Sequence, residues 1–376
     1  MESQVTSLGG VAELPVPKLA VVGCGWWSTQ FHIPGIQSFN GAELVGVVDS
    51  DLVRRQAASD AFGVPSFCSI KELKDAVDVD GVVIATTSAT HYELALEALM
   101  SDLHVMVEKP MVLSSAEAWE LVDIAARKGL VLQVGFTHHY TSPAQRLQQV
   151  IANGGIGEIL HVSGLYATMV EAYYRGRPEE FDKVFHFPIT GPGSRTYSDP
   201  AISGGGQGVT QVSHLIGMIL WVTGLRAVEI SAFMENTDLE VDLVDAISFR
   251  LDSGGVGVVG STGNLRPGDP QQQEIRYYGT KGYALQDLVS AGAEIRYEDG
   301  EVETLTIGEA EEPYPAYSPV RNLANAIRGV GKEVASGEAG ARSVEFLEAA
   351  YESARSHTFV EIRKDRKVTI ETGKSK

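Results

Sequence analysis

Residues 19–32 read LAVVGCGWWSTQFH, a short apolar run that breaks into a glycine turn. Gly23 and Gly25 stand in a G-x-G spacing, and Ser28 occupies the third glycine position of G-x-G-x-x-G. Where such a turn follows the first strand of a parallel sheet and opens a helix, its backbone N–H groups face a pyrophosphate at the helix N-terminus. Gly23 then supplies the tight turn, Gly25 lets the phosphate approach, and Ser28 is small enough for close helix packing. A lone G-x-G is also compatible with a plain turn and an acidic cap. Asp49, closing the next apolar run in VGVVDSD, strengthens the dinucleotide reading, because an acid about 20 residues on binds the ribose hydroxyls. Its charge repels a 2′-phosphate and so selects NAD over NADP, although Arg54 and Arg55 soften that repulsion.

Outward from this turn, apolar runs alternate with helical stretches as far as residue 137. LAVVG, AELVGVVD, DGVVIAT, LHVMVEKP and LVLQVGF are separated by stretches such as LVRRQAASDAFG, HYELALEALM and SAEAWELVDIAARKG, and residues 28–39 read as the first helix. Strands apolar on both faces that alternate with helices imply a doubly wound parallel sheet. From about residue 155 the pattern changes. EILHVSGLYATMV, AVEISAFME, AISFRLDSG, GVGVVGSTG, EIRYYGT and GYALQDL follow one another with turns between them, which predicts a large, mostly antiparallel open sheet. Helices are expected near 207–223 and 339–356, and residues 171–203 read as a long loop. The expected division is 1–137, a Rossmann NAD(P)-binding domain, and 138–376, an α+β domain for substrate binding and oligomerisation. Too few helices cover that second sheet, so a homo-dimer or homo-tetramer is expected to bury its apolar face.

Composition narrows the partners. The 376 residues carry a formal net charge of −19, with 44% hydrophobic and 21% charged residues. A dispersed negative charge repels phosphate backbones and anionic lipid, which argues against nucleic acid and membrane partners. Cys24 and Cys68 are the two cysteines, too few for a disulfide framework or a zinc site, and no metal is expected. With no leader pattern and no apolar run of about 18 residues, a cytoplasmic location is expected.

HVMVEKP, residues 104–110, places Glu108 and Lys109 at the carboxyl end of a strand, where open parallel sheets bind their ligands. That position makes Lys109 a chemical candidate; the alternative is a solvated lysine before a proline turn.

Together VVGCGWW, VVDSD, TTSATHYELALEAL, VMVEKP, VGFTHHY and GGGQGVTQVSHLIGMILWVTG resemble, in that order, the Gfo/Idh/MocA family of nicotinamide-dependent oxidoreductases. The resemblance implies a Rossmann domain, a C-terminal domain whose open sheet often forms the subunit interface, and chemistry at a hydroxyl or keto carbon of a sugar, glycoside or cyclitol. It matches Gly23 and Gly25 to the phosphate turn, Asp49 to the ribose acid, and Trp26 and Trp27 to bulky positions after the second glycine. It puts Thr86, Ser88 and His91 beside the cofactor riboses, Glu108 on the nicotinamide ribose, Lys109 on the substrate hydroxyl, and His138 in the nicotinamide pocket. His91 read alone is equally a helix cap, and His139 a surface residue. The family often has an aspartate four residues before the histidine of its second motif, but here Thr210 precedes His214. Gln207 and Gln211 add amides nearby.

The mechanism these assignments imply is reversible hydride transfer, with the substrate hydroxyl between Lys109 and His214: His214, with Lys109 polarising or sharing the proton, removes it as hydride leaves for NAD, and Thr210 supports the histidine. Tyr173, Tyr174, Arg175 and Arg177 suit a sugar ring, with Tyr173, Arg175 and Gln211 as the expected substrate contacts; the loop residues equally suit a subunit interface. Two other activities are compatible with the resemblance. One is a glycosidase that oxidises its sugar transiently and re-reduces it, and the other is a non-catalytic dinucleotide-binding sensor.

Overall fold

Two sheets organise the chain in the computed structural model, which describes residues 15–181, 187, 189 and 191–362. The first has six parallel strands in the order β3-β2-β1-β4-β5-β6. They are β1 Lys18–Val22, β2 Glu43–Val48, β3 Ser66–Phe67, β4 Gly81–Ile84, β5 His104–Val107 and β6 Leu132–Val134. Alternation along β1 divides the core as a period of two requires. Ala20 and Val22 face Ile70, Leu73, Leu99 and Leu121, whereas Leu19 and Val21 face Ile33 and Ile36. Val320, Leu323 and Ala324 join that second face. They belong to the helix Ser318–Ile327, so a segment from far along the chain returns to cover the first sheet.

The second sheet has nine strands in the order β14-β13-β12-β11-β7-β10-β9-β8-β15. They are β7 Ile159–Ala167, β8 Ala227–Glu235, β9 Val244–Leu251, β10 Val256–Thr262, β11 Gln272–Gly279, β12 Gly282–Asp287, β13 Gly292–Tyr297, β14 Val302–Leu305 and β15 Val360–Glu361. Only the β7–β10 pair within it is parallel. One face packs on the helices Ser142–Ala152, Ser213–Thr223 and Gly337–Ser356. The other is open, with Phe233, Val256, Val258 and Tyr278 exposed along it. Gly337–Ser356 ties the two bodies together: Ala341 and Val344 enter the first core, and Phe346, Leu347 and Ala350 enter the second.

Two expected elements take a different form. The stretch 28–39 forms a π-helical turn, Ser28–His32, followed by a short α-helix, Ile33–Gln37. Likewise 207–223 begins as a π turn, Gly208–Val212, before the α-helix Ser213–Thr223. Within 171–203 the described residues hold the short helices Glu171–Tyr174, Pro178–Phe181, Arg195–Ser198 and Pro200–Ser203. Residues 182–186, 188 and 190 of that loop lie outside the described residues. Among the described residues no helix is long and apolar enough to cross a membrane.

Candidate active site

The glycine turn closes the carboxyl end of β1. Gly23 has φ +97° and donates its N–H to the Val48 carbonyl, and a Cβ there would come within 2.6 Å of the Ala85 carbonyl oxygen. Only glycine fits that conformation and that gap. Gly25 differs, since a Cβ there would meet nothing within 4 Å. It opens onto space that a ligand can approach. Thr86 packs over Gly23, and its hydroxyl accepts from Thr90; Ser88 begins the adjoining turn, Ser88–Thr90.

Asp49 is buried, and donors surround its carboxylate. Oδ2 accepts from the Cys24 N–H at 2.9 Å and Oδ1 from the Asp51 N–H at 2.8 Å. Arg54 approaches both oxygens, each at 3.2 Å. Four donors fill the acceptor sites of a carboxylate. A ribose can reach Asp49 only if Arg54, whose side chain is 46% exposed, withdraws.

Aromatic rings wall the turn. Trp26 and Trp27 meet edge to face at 5.1 Å, Trp26 hydrogen-bonds Tyr197, and Trp27 packs on Phe31 at 4.4 Å. Tyr314, just before the helix Ser318–Ile327, stands edge-on to both Trp27 and His138, and its hydroxyl hydrogen-bonds Thr137. It was absent from the sequence reading, because an aromatic between prolines in EEPYPAYSP has no spacing that marks a site.

Lys109 lies one residue after Glu108 at the end of β5 and reaches across to the second body. Its Nζ donates to the Thr210 carbonyl at 2.8 Å, on the helical segment that carries His214. Burial lowers the Lys109 amine to about 8, against the opposing charge of Glu108. His214 stacks on Tyr166 at 6.1 Å and stands edge-on to His138 at 5.6 Å. Burial, then the charges of Lys109, His138 and His139, hold its imidazole well below the usual histidine range. Burial and Lys109 likewise bring His138 down to about 4. Both ring nitrogens of His138 are buried without a hydrogen-bond partner among the described residues. Buried orphan polar atoms are uncommon and often mark a missing ligand or water. With the open space at Gly25, they fit a dinucleotide laid from the glycine turn toward Lys109.

Thr210 differs from expectation. Its hydroxyl donates to the Gly206 carbonyl and is hydrogen-bonded to Tyr174, so it faces away from the lysine; the carbonyl, not the side chain, meets Lys109. The entry to this segment is clamped from behind. Asp242 accepts from the N–H groups of Gly206 at 2.8 Å and Gly208 at 2.6 Å, and from the Tyr351 hydroxyl at 2.6 Å. Gln207 is wholly buried between Tyr174 and the Tyr166 carbonyl, while Gln211 on the same turn stays half-buried.

Several assigned residues are corrected. The ring nitrogens of His91 sit on the Pro110 and Thr86 carbonyls at 2.9 and 3.2 Å, joining two strand-end loops and leaving no nitrogen for a cofactor. His139 is buried, stacked on Phe136 at 5.1 Å, not a surface residue. Tyr173 is buried with Tyr174, Val241 and Leu243, packed against Tyr197. Arg175 is bonded to Glu171 and, through both terminal nitrogens, to Asp238. Its guanidinium is thus held by the chain's own carboxylates through three of its five N–H groups. Arg177 pairs with Glu180. Glu108 has Oε1 taken by Trp27 and His32 and Oε2 by the Lys109 N–H, so three of its roughly four acceptor sites are filled by the chain itself.

Comparison with known proteins agrees with this architecture. Residues 18–136 match the family described as an oxidoreductase family with an NAD-binding Rossmann fold, and 144–285 match the GFO/IDH/MocA C-terminal domain. D-glucoside 3-dehydrogenase of Escherichia coli (strain K12) is 29% identical over 213 residues, 56% of this chain and 55% of the relative. Inositol 2-dehydrogenase of Arthrobacter sp. (strain FB24) is 34% identical over 148 residues, 38% of this chain and 43% of the relative. The matched stretches thus span about half the length of these curated relatives. In fold, the chain is similar to GenD2 from gentamicin A biosynthesis in complex with NAD, with a TM-score of 0.74 at 22% identity over 95% of this chain and 99% of that one.

Proposed function

Because the chain belongs to the Gfo/Idh/MocA oxidoreductase family, we propose that it is an NAD-dependent dehydrogenase acting on a secondary hydroxyl of a sugar, glycoside or cyclitol. The observation that carries this reading is the 2.8 Å contact from Lys109 Nζ to the Thr210 carbonyl, which joins the nucleotide sheet to the helix of His214. The relatives named as acting on a glucoside and on inositol support the substrate class.

Gly23, Gly25 and the Asp49 region would hold NAD, with Trp27 and His138 beside it. When bound, NAD supplies the hydride acceptor. The chain's own residues handle the proton. Lys109, at about 8, is close enough to neutrality to exchange the hydroxyl proton. His214, kept neutral by burial and by the lysine charge, offers a nitrogen lone pair to the same hydroxyl. Thr210 acts through its carbonyl, which orients the amine. Asp49 favours NAD once Arg54 withdraws. A second copy of the chain would cover the open apolar face around Phe233 and Val258, and light scattering across a wide concentration range reads that association.

The deciding assay offers NAD with free sugars, cyclitols and glycosides while NADH absorbance and released sugar are followed together. Accumulating NADH supports the dehydrogenase. Free sugar without net NADH replaces it with the glycosidase route, and NAD binding without turnover on any class replaces it with a sensor.

A further inference from the structure

Beneath the Lys109 turn lies a buried pair that the sequence reading did not contain. His32 ends the π turn Ser28–His32, is 1% exposed, and holds Nε2 2.8 Å from Glu108 Oε1. The Trp27 indole N–H donates to the same oxygen at 3.0 Å, and Oε2 accepts from the Lys109 N–H at 3.1 Å. On the far side is Gly135, where a Cβ would come within 2.6 Å of Oε1. The carboxylate therefore sits in a slot with a glycine floor and three donors, directly under the residue proposed to carry the proton.

We propose that His32 is a positioning residue for Lys109: with Trp27 it pins the Glu108 carboxylate in its slot, and that fixed charge sets the protonation of the Lys109 amine. This rests on the reading of Lys109 as the proton-exchanging group. The coupling follows from simple electrostatics. A buried carboxyl favours its neutral form, and a hydrogen bond to its charged form opposes that. At Glu108 burial pushes the carboxyl up, but the His32 hydrogen bond and the charges of His32 and Lys109 outweigh it, and the net direction is down. The resulting negative charge in turn raises the Lys109 amine against its burial. Two residues that never touch are thereby linked, His32 to Lys109 through Glu108.

Other groups around this pair are the histidines His138 and His214, whose presence beside Lys109 is felt through its charge, and His91, Tyr197 and Tyr314, which feel the charge of Glu108. Among the described residues none of these hydrogen-bonds the carboxylate through its side chain, whereas His32 and Trp27 do.

The test titrates Lys109 directly in the full chain, by carbon-13 reductive methylation and NMR, with Lys109→Arg to assign the resonance. It needs no substrate, so it stands whatever the turnover assay returns. Glu108→Gln is expected to lower the Lys109 midpoint by about one pH unit, because it removes the opposite charge that raises the amine. His32→Leu should lower it in the same direction by about half a unit, and His32→Gln, which restores an N–H donor, should bring it back toward the parent. NAD binding, read by tryptophan fluorescence, gives a second readout of the site. An unchanged Lys109 midpoint in folded His32→Leu overturns the proposal. If His32→Leu does not fold, His32→Gln with Glu108→Gln decides it: equal midpoints in Glu108→Gln and the parent overturn it. A shifted midpoint with no dehydrogenase activity on any substrate overturns the functional reading and leaves this linkage intact.

Discussion

Lys109 is the residue on which the proposed chemistry can be tested most sharply. A free lysine amine with a midpoint near 10.5 is about one part in a thousand neutral at pH ~7.5. Lys109, brought to about 8 by burial, would be about a quarter neutral at that pH, a gain of roughly two orders of magnitude in available base. The direction of the effect follows. Proton abstraction needs the neutral amine, so kcat/KM for oxidation should rise with slope one up to about pH 8 and then level off. Reduction, which needs the charged form, should be level below about pH 8 and fall above it. Lys109→Arg keeps the charge but cannot deprotonate, and it should lose the limb along with roughly 100-fold or more of the rate. His214, already well below the histidine range, should contribute no limb between pH ~6 and ~7. The measurement is initial NADH formation from the best panel substrate between pH ~6 and ~10, with NAD affinity followed by fluorescence. A flat profile, or a Lys109→Arg enzyme that keeps the parental limb, refutes the assignment of the proton to Lys109.

Other outcomes follow from the contacts. Asp49→Ser should raise relative affinity for NADP, and Arg54→Ala should lower it, because Arg54 neutralises Asp49 and is a half-exposed cation beside it that could meet a 2′-phosphate; dissociation constants for both cofactors check this. Asp245 is buried beside Asp242, and its carboxyl is raised to about 8, first by burial and then by the Asp242 charge. A carboxyl raised on folding is most favourable below its unfolded value near 4 and loses that contribution as pH rises through 8, so Asp245→Asn should gain stability relative to the parent as pH increases across that window. Thermal melts should show a gain of about 2–4 °C or more at neutral pH and little at pH ~4. Arg175→Ala should change turnover less than about twofold, because the arginine is engaged by Glu171 and Asp238 in a solvent-screened ion-pair network; a large loss in kcat/KM would place it in the substrate site.

The sequence alone determined the architecture. Apolar runs bounded by helices up to residue 137, then strand after strand, reflect a solvent-driven pattern: buried parallel strands are apolar on both faces, and an open sheet alternates. The glycine turn, Asp49 and the Lys109 strand end were legible for the same reason, because backbone conformation and strand position restrict which residues are allowed. His214 was legible from the family pattern. What remained hidden depends on contacts between segments distant in the chain. His32 meets Glu108 across 76 positions, Lys109 meets the Thr210 carbonyl across 101, and Tyr314 reaches His138 from the connection between β14 and the helix Ser318–Ile327. No local period encodes these pairs. The partners of charged residues were hidden for the same reason: Arg175 and Glu108 are both attractive to a ligand in isolation, and both are held by the chain itself. A side chain's chemistry is written in its sequence, but whether that chemistry is available to a ligand is decided only when packing brings its partners into reach or keeps them away.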